Sequence, residues 1–138
     1  MSFPELDNLV AIGKFKRESP TEREIAGLLD SAEARLIDAG REDLSYASRF
    51  DLAYNAAHAL ALAALRQAGY RSDNRYLVFQ ALNHTIGMEG AKWRVLAKAH
   101  EKRNLAEYEG HLEQDDRLLA ELLVIARELR DVLRSRGS

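Results

Sequence analysis

Arg103, Asn104 and Tyr108 fall within one short stretch of helical spacing, Arg103-Asn104-Leu105-Ala106-Glu107-Tyr108. A guanidinium fork binds phosphate oxygens, a carboxamide bonds a base edge or a backbone group, and a phenol stacks or donates. Residues four apart on a helix differ by about 40° of rotation. His100, Asn104 and Tyr108 therefore trace one stripe, with His111 about a turn further on and Arg103 beside it. A second polar line comes earlier: Asp51, Asn55 and His58 are spaced i, i+4, i+7 in an alanine-rich stretch. If the two helices are neighbours, the lines face each other across a cleft with Arg103 at its edge. The same groups also have a packing role open to them. Tyr108 and Asn104 would then tie one helix to another, and Asn55 and His58 would form a satisfied buried pair that fixes register. Tyr46, Tyr54, Tyr70 and Tyr76 read as core or rim aromatics.

Other chemistries find little footing. A di-metal carboxylate bundle needs Glu-x-x-His pairs on two helices, and the chain has none; His58 is preceded at that spacing by Asn55. The four histidines show no zinc-ligand spacing, so no metal or other cofactor is expected. Gly87-Met88-Glu89-Gly90 is too short for a phosphate-cradling loop and lacks the Lys-Ser or Lys-Thr that follows one. With no cysteine, and no serine in an elbow motif, nucleophilic triads have no support.

A chain of 138 residues fits one domain, here 1–138, and should bury roughly two-thirds of its unfolded surface without staples. Absence of cysteine removes disulfides and suits a cytoplasmic setting. The net charge of −2 argues against a protein that coats nucleic acid. Locally, Lys92, Arg94, Lys98, Lys102 and Arg103 cluster against Glu101 alone, as a solvated face or a basic patch. No secretory pattern is evident from Met1 to Lys16, and the longest apolar run, Ala56 to Leu65, is far below the ~20 residues that span a bilayer. A soluble protein with no membrane partner is expected.

Five main helices should position these groups. Ser19-Pro20-Thr21-Glu22 reads as an N-cap, a first-turn proline and an acidic third residue, opening a helix that keeps Ile25, Leu28, Leu29, Ala32, Leu36 and Ile37 on one face until Gly40. The next, about Leu44 to Ala68, carries alanine on most sides, the mark of a central helix that neighbours approach closely. A third runs from about Asp73 to Ile86, and a fourth from about Ala91 to Glu109, anchored by Trp93 and Leu96. The last, about Gln114 to Arg134, points Leu118, Leu122, Ile125, Leu129 and Val132 inward. A short peripheral helix from Leu6 to Lys14 is expected within residues 1–18. Short connections make this an all-α, up-and-down antiparallel bundle of four to five helices.

Three segments carry a resemblance: Ser48 to His58, Ala68-Gly69-Tyr70-Arg71, and Lys102 to Tyr108. Together they resemble the HEPN superfamily over about residues 20 to 134. The resemblance implies a HEPN-like bundle, commonly a homodimer, working beside a minimal nucleotidyltransferase in toxin–antitoxin or defence modules, with RNA or a nucleotide as ligand. Active members pair an arginine with a histidine four to six residues further along, aided by the polar residue after the arginine. Arg103 and Asn104 match that pattern. Tyr108 occupies the place after four intervening residues, and His111 follows seven, outside the window. A phenol, with an ordinary pKa near 10, is a poor base at neutral pH.

The departure implies a non-catalytic or weakly active module that binds nucleotide or RNA through Asp51, Asn55, His58, His100 and Arg103. The alternatives are a metal-independent ribonuclease toxin in which Arg103, Asn104, Tyr108 and His111 act in a composite dimer site, and a purely structural interaction bundle.

Overall fold

The computed structural model describes residues 3–136. Seven helical segments and one two-residue ladder follow in order: α1 (Pro4–Ala11), β1 (Lys16–Arg17), α2 (Glu22–Ala39), α3 (Tyr46–Gln67), β2 (Tyr70–Arg71), α4 (Arg75–Gln80), α5 (Leu82–Thr85), α6 (Gly90–Glu109) and α7 (Asp116–Arg136). The chain is an all-α bundle of four long helices, α2, α3, α6 and α7, with the shorter ones around them.

α3 is the central rod. α2 packs along it as the other half of a helical hairpin, α7 covers both, and α4, α5 and α6 close its remaining side. Its alanines explain this crowding: Ala53, Ala56, Ala57, Ala61, Ala63 and Ala64 are all buried, on several faces. Small side chains let neighbouring axes come close on every side. Leu60, Leu65, Leu36, Leu96, Leu122 and Leu129 fill the spaces between rods as part of one continuous core.

Several boundaries depart from expectation. α2 is capped not at Ser19 but at Thr21, whose hydroxyl accepts from the Glu24 amide at 3.1 Å while the Glu24 carboxylate accepts from the Thr21 amide at 3.3 Å. The reciprocal pair satisfies two amides, whereas a Ser19–Pro20 start offers no such closure. Ile37, expected inside, is exposed, because the stripe ends at Leu36 and Ala39. Val132 likewise faces out, and Leu133 takes its place in the core. The third expected helix is two, broken at Ala81, which caps α4 and opens α5. Gly110 ends α6 with φ of 74°, a left-handed geometry that glycine adopts without strain.

The ladder was not legible beforehand. Lys16 pairs with Arg71 and Arg17 with Tyr70, antiparallel. Beneath it lies Arg66, only 2% exposed. Its guanidinium donates to the Glu24 carboxylate at 2.5 Å, and to the backbone oxygens of Glu18 at 2.9 Å, Tyr70 at 3.1 Å and Ser19 at 3.2 Å. A buried cation persists only when its donors are met, and here one side chain binds the first connection to the end of α3. Among the described residues, no helix is long and apolar enough to cross a membrane.

Arg66→Ala leaves Glu24 and three carbonyls without their donor. It should cost about 3 kcal/mol, the lower end for breaking a buried ionic network since Glu24 keeps some contact with water. Urea unfolding checks this, and a loss below about 1 kcal/mol would contradict it.

Candidate functional site

The two polar lines do not share the one cleft expected of them, since Asp51 and Arg103 open on one hollow and His100 and Asn104 on another, and what joins them is a residue that the sequence assigned to the core. Tyr54, on the middle of α3, has no exposed surface. Its hydroxyl lies 2.9 Å from His100 Nδ1 on α6. The Arg103 guanidinium sits over its ring at 5.0 Å from the centroid, and that of Arg75, from α4, at 5.6 Å. Two helices, α4 and α6, thus deliver two cations and an imidazole to one buried phenol on α3. Asn55 joins by accepting from Arg75 at 3.1 Å, while its own amide donates to the Asp51 carbonyl at 2.8 Å.

His100 is gripped from both sides. Its second nitrogen lies 3.0 Å from the Asn104 amide. A neutral imidazole carries one N–H, so Tyr54 and Asn104 cannot both donate to it. In one arrangement Tyr54 donates to Nδ1 and Nε2–H meets the amide oxygen; in the other Nδ1–H donates to Tyr54 and the amide nitrogen donates to Nε2. Both keep His100 neutral. Burial, then the nearby Arg75 and Arg103 charges, hold its pKa below that of a free histidine. Burial raises the Tyr54 phenol, opposed by Arg75 and Arg103, and so keeps it protonated.

His58 completes the cluster differently. Its ring meets Phe79 edge-on at 5.8 Å, and its Nε2 is buried without a hydrogen-bond partner. Burial first, then Arg75, His100 and Arg103, pushes its pKa down to about 4. This is a neutral imidazole, not the satisfied pair with Asn55 that the spacing suggested.

Arg103 has two carboxylates within reach: Glu107 Oε1 at 2.9 Å from Nη1, and Asp51 Oδ1 at 3.5 Å from Nε. The second contact is ionic but not a hydrogen bond, and Nε stays buried and unpartnered. Both carboxylates are mostly exposed, so each pair contributes little and yields readily to another anion. Arg103, Asp51, Glu107 and His111 line one hollow of about 350 Å³ beside α3. Asn104 and His100 face a second, of about 460 Å³, with Tyr76, Arg94 and Lys98.

Tyr108 does not belong here. It is 92% exposed, because two steps of about 40° carry it about 80° round the helix from His100. The converging phenol is that of Tyr54. A sequence signal for it existed: Tyr54 lies three residues after Asp51 and four before His58, on the edge of the same polar line. Arg75 had no such signal, since only tertiary packing brings α4 there. His111, just beyond Gly110, is exposed at the rim of the first hollow. The basic run is largely spoken for as well: Lys92 pairs with Glu128 at 2.7 Å and Lys102 with Asp115 at 3.4 Å. Arg94 and Lys98 make no ion pair among the described residues. Among those residues, too, no three His, Asp or Glu side chains gather to hold a metal ion.

A histidine held neutral in the fold is protonated more readily once unfolded. The unfolded state therefore binds more protons between pH 6.5 and about 4, and stability falls as pH drops through that window. His58→Leu should narrow the difference in Tm between pH 7 and pH 4.5. An unchanged difference would show that His58 does not titrate in this way.

Comparison with protein-family models, with curated proteins and with solved structures finds no match to this chain.

Proposed function

We propose that this chain is a HEPN-like module that binds the phosphates of a nucleotide or RNA at the junction of α3, α4 and α6. It acts as a non-catalytic or weakly active homodimer with a nucleotidyltransferase-type partner in a toxin–antitoxin or defence system. One observation carries the reading: Arg75 and Arg103, from different helices, converge on the ring of a buried tyrosine. Two cations brought together repel, and a fold keeps such an arrangement where an anion offsets it. The acidic partners of Arg103, Asp51 and Glu107, are exposed and weakly held, so phosphate oxygens displace them at little cost, and Arg75 bonds only the neutral Asn55 amide. Arg103 can then offer a planar fork to phosphate while its ring stacking holds the guanidinium in place.

Catalysis is poorly supplied at this site. His100, whose imidazole feels the Arg103 charge, has both of its nitrogens engaged. The ribonuclease reading has one observation in its favour, that His111 shares a hollow with Arg103 and Asp51. Purified protein that leaves a mixed RNA pool intact at high concentration eliminates it.

Arg103→Ala and Arg75→Ala should each weaken binding of a short RNA or of a nucleotide by about tenfold in calorimetry, with little change in Tm. Asn104→Ala should weaken it less. If both arginine variants bind as the parent does, the site is misassigned. A loss of stability in Asn104→Ala with no other effect would favour a purely structural bundle.

A further inference from the structure

Tyr54 also decides which way round a surface amide stands. Its hydroxyl is sealed from water, and among the described residues the one acceptor within reach of its hydrogen is His100 Nδ1, at 2.9 Å. Arg75, the other polar group bonded to that hydroxyl, has only donors to offer. A buried hydroxyl hydrogen left without an acceptor is costly, so Tyr54 donates and Nδ1 accepts. The neutral ring then carries its single hydrogen on Nε2, 3.0 Å from the Asn104 amide. The amide must meet that N–H with its oxygen. Its NH2 group is thereby turned away from His100, toward the hollow of about 460 Å³ that Asn104 lines. Lys98 and Arg94 stand on the same rim, exposed, one helical turn apart and without ion pairs among the described residues.

We infer that this hollow is a binding site for a carboxylate, held by the Asn104 NH2 group with Lys98 and Arg94, against the ring of Tyr76. With the amide oxygen engaged, the amide and both cations offer hydrogens and no lone pair. A negatively charged acceptor is matched there and an amine is not. Glu101, on the same rim, disfavours the second charge of a phosphate monoester more than the single charge of a carboxylate. A carboxylate is also planar and takes two parallel bonds from an arginine fork. Tyr76 supplies a wall for whatever the carboxylate is attached to. Its ring is 40% exposed, yet braced by Trp93 edge-on at 6.0 Å and by His100 tilted against it at 6.1 Å. The ligand is thus a carboxylate on an apolar or aromatic body, either a free acid or an acidic side chain of a protein. The inference goes beyond the phosphate reading and does not rest on it, since Arg103 opens on the other hollow.

NMR of the imidazole nitrogens in the full chain should show His100 as the Nε2–H tautomer. An Nδ1–H ring would put the amide oxygen into the hollow and overturn the inference. Tyr54→Phe removes the hydroxyl, so the two tautomers should mix in that variant, a signature that loosened packing alone does not produce. A ring that stays wholly Nε2–H there would overturn the part given to Tyr54. Benzoate is then titrated and followed at the Asn104 amide and the Tyr76 ring, which should shift together. Asn104→Asp keeps an oxygen for Nε2–H but replaces the donors with a negative charge, and should weaken benzoate by about tenfold or more. Lys98→Ala should weaken it about fivefold. An acetylated and amidated peptide with one glutamate, compared with acetate, separates the sources. Tighter binding of the peptide assigns the site to a protein partner, and no gain assigns it to a free acid; either supports the inference. Silence of the Asn104 amide and the Tyr76 ring at about 50 mM benzoate overturns it. So does an unchanged affinity in Asn104→Asp, or inorganic phosphate binding in this hollow more tightly than benzoate.

Discussion

A phenol with no access to water must find its partners inside the protein, and Tyr54 finds them on two other helices. An unmade hydrogen bond there would cost about 1–3 kcal/mol, so α6 has to present His100 at one register to α3. That register then sets everything else at the junction. Asn104, one turn on, reaches the far nitrogen of the same imidazole, and Arg103 is turned onto the face of the tyrosine ring. α4 is anchored by the buried Val78 and Phe79, and its Arg75 bonds Asn55 and lies over the same ring. Packing and polarity are one arrangement here, because the aromatic face that buries α3 is also what orients the cations.

The alanines of α3 make that arrangement affordable in space. Larger side chains at Ala53, Ala57 or Ala61 would hold the flanking helices apart and move His100 and Arg75 out of reach of Tyr54. Arg66 fixes the other end of the rod, tying it to the loop before α2 and to the ladder. Between these two anchors the helix presents Asp51, Asn55 and His58 in a row, each with a different fate. Asp51 is exposed near Arg103, Asn55 bridges to Arg75, and His58 is kept neutral against Phe79.

What could be read beforehand follows from range along the chain. Helices came through because their period is local: the central character of α3 lay in its alanines, and Gly110 marked the end of α6. At the start of α2, Ser19-Pro20 and Thr21-x-x-Glu24 are overlapping cap signals two positions apart, and only hydrogen bonding separates them. Arg103, Asn104 and His100 were found from spacing on a single helix, and they do lie together. Tyr108 misled because a stripe drawn at four-residue steps drifts round the helix, which matters little over one step and decides exposure over two. Tyr54 was hidden by its type, an aromatic among alanines that resembles simple core. Arg75 and the Lys16–Arg71 ladder depend on contacts between distant segments, for which no local pattern exists.

The proposed role requires anion contact at the Tyr54 junction rather than elsewhere on a surface rich in arginine. Side-chain NMR of the arginine Nε–Hε groups and histidine rings, followed while a short single-stranded RNA is added, reads this directly. Arg103, Arg75 and His100 should shift together with one affinity, while the buried Arg66 stays still. Shifts confined to peripheral arginines such as Arg41 and Arg117, with the junction silent, would contradict it.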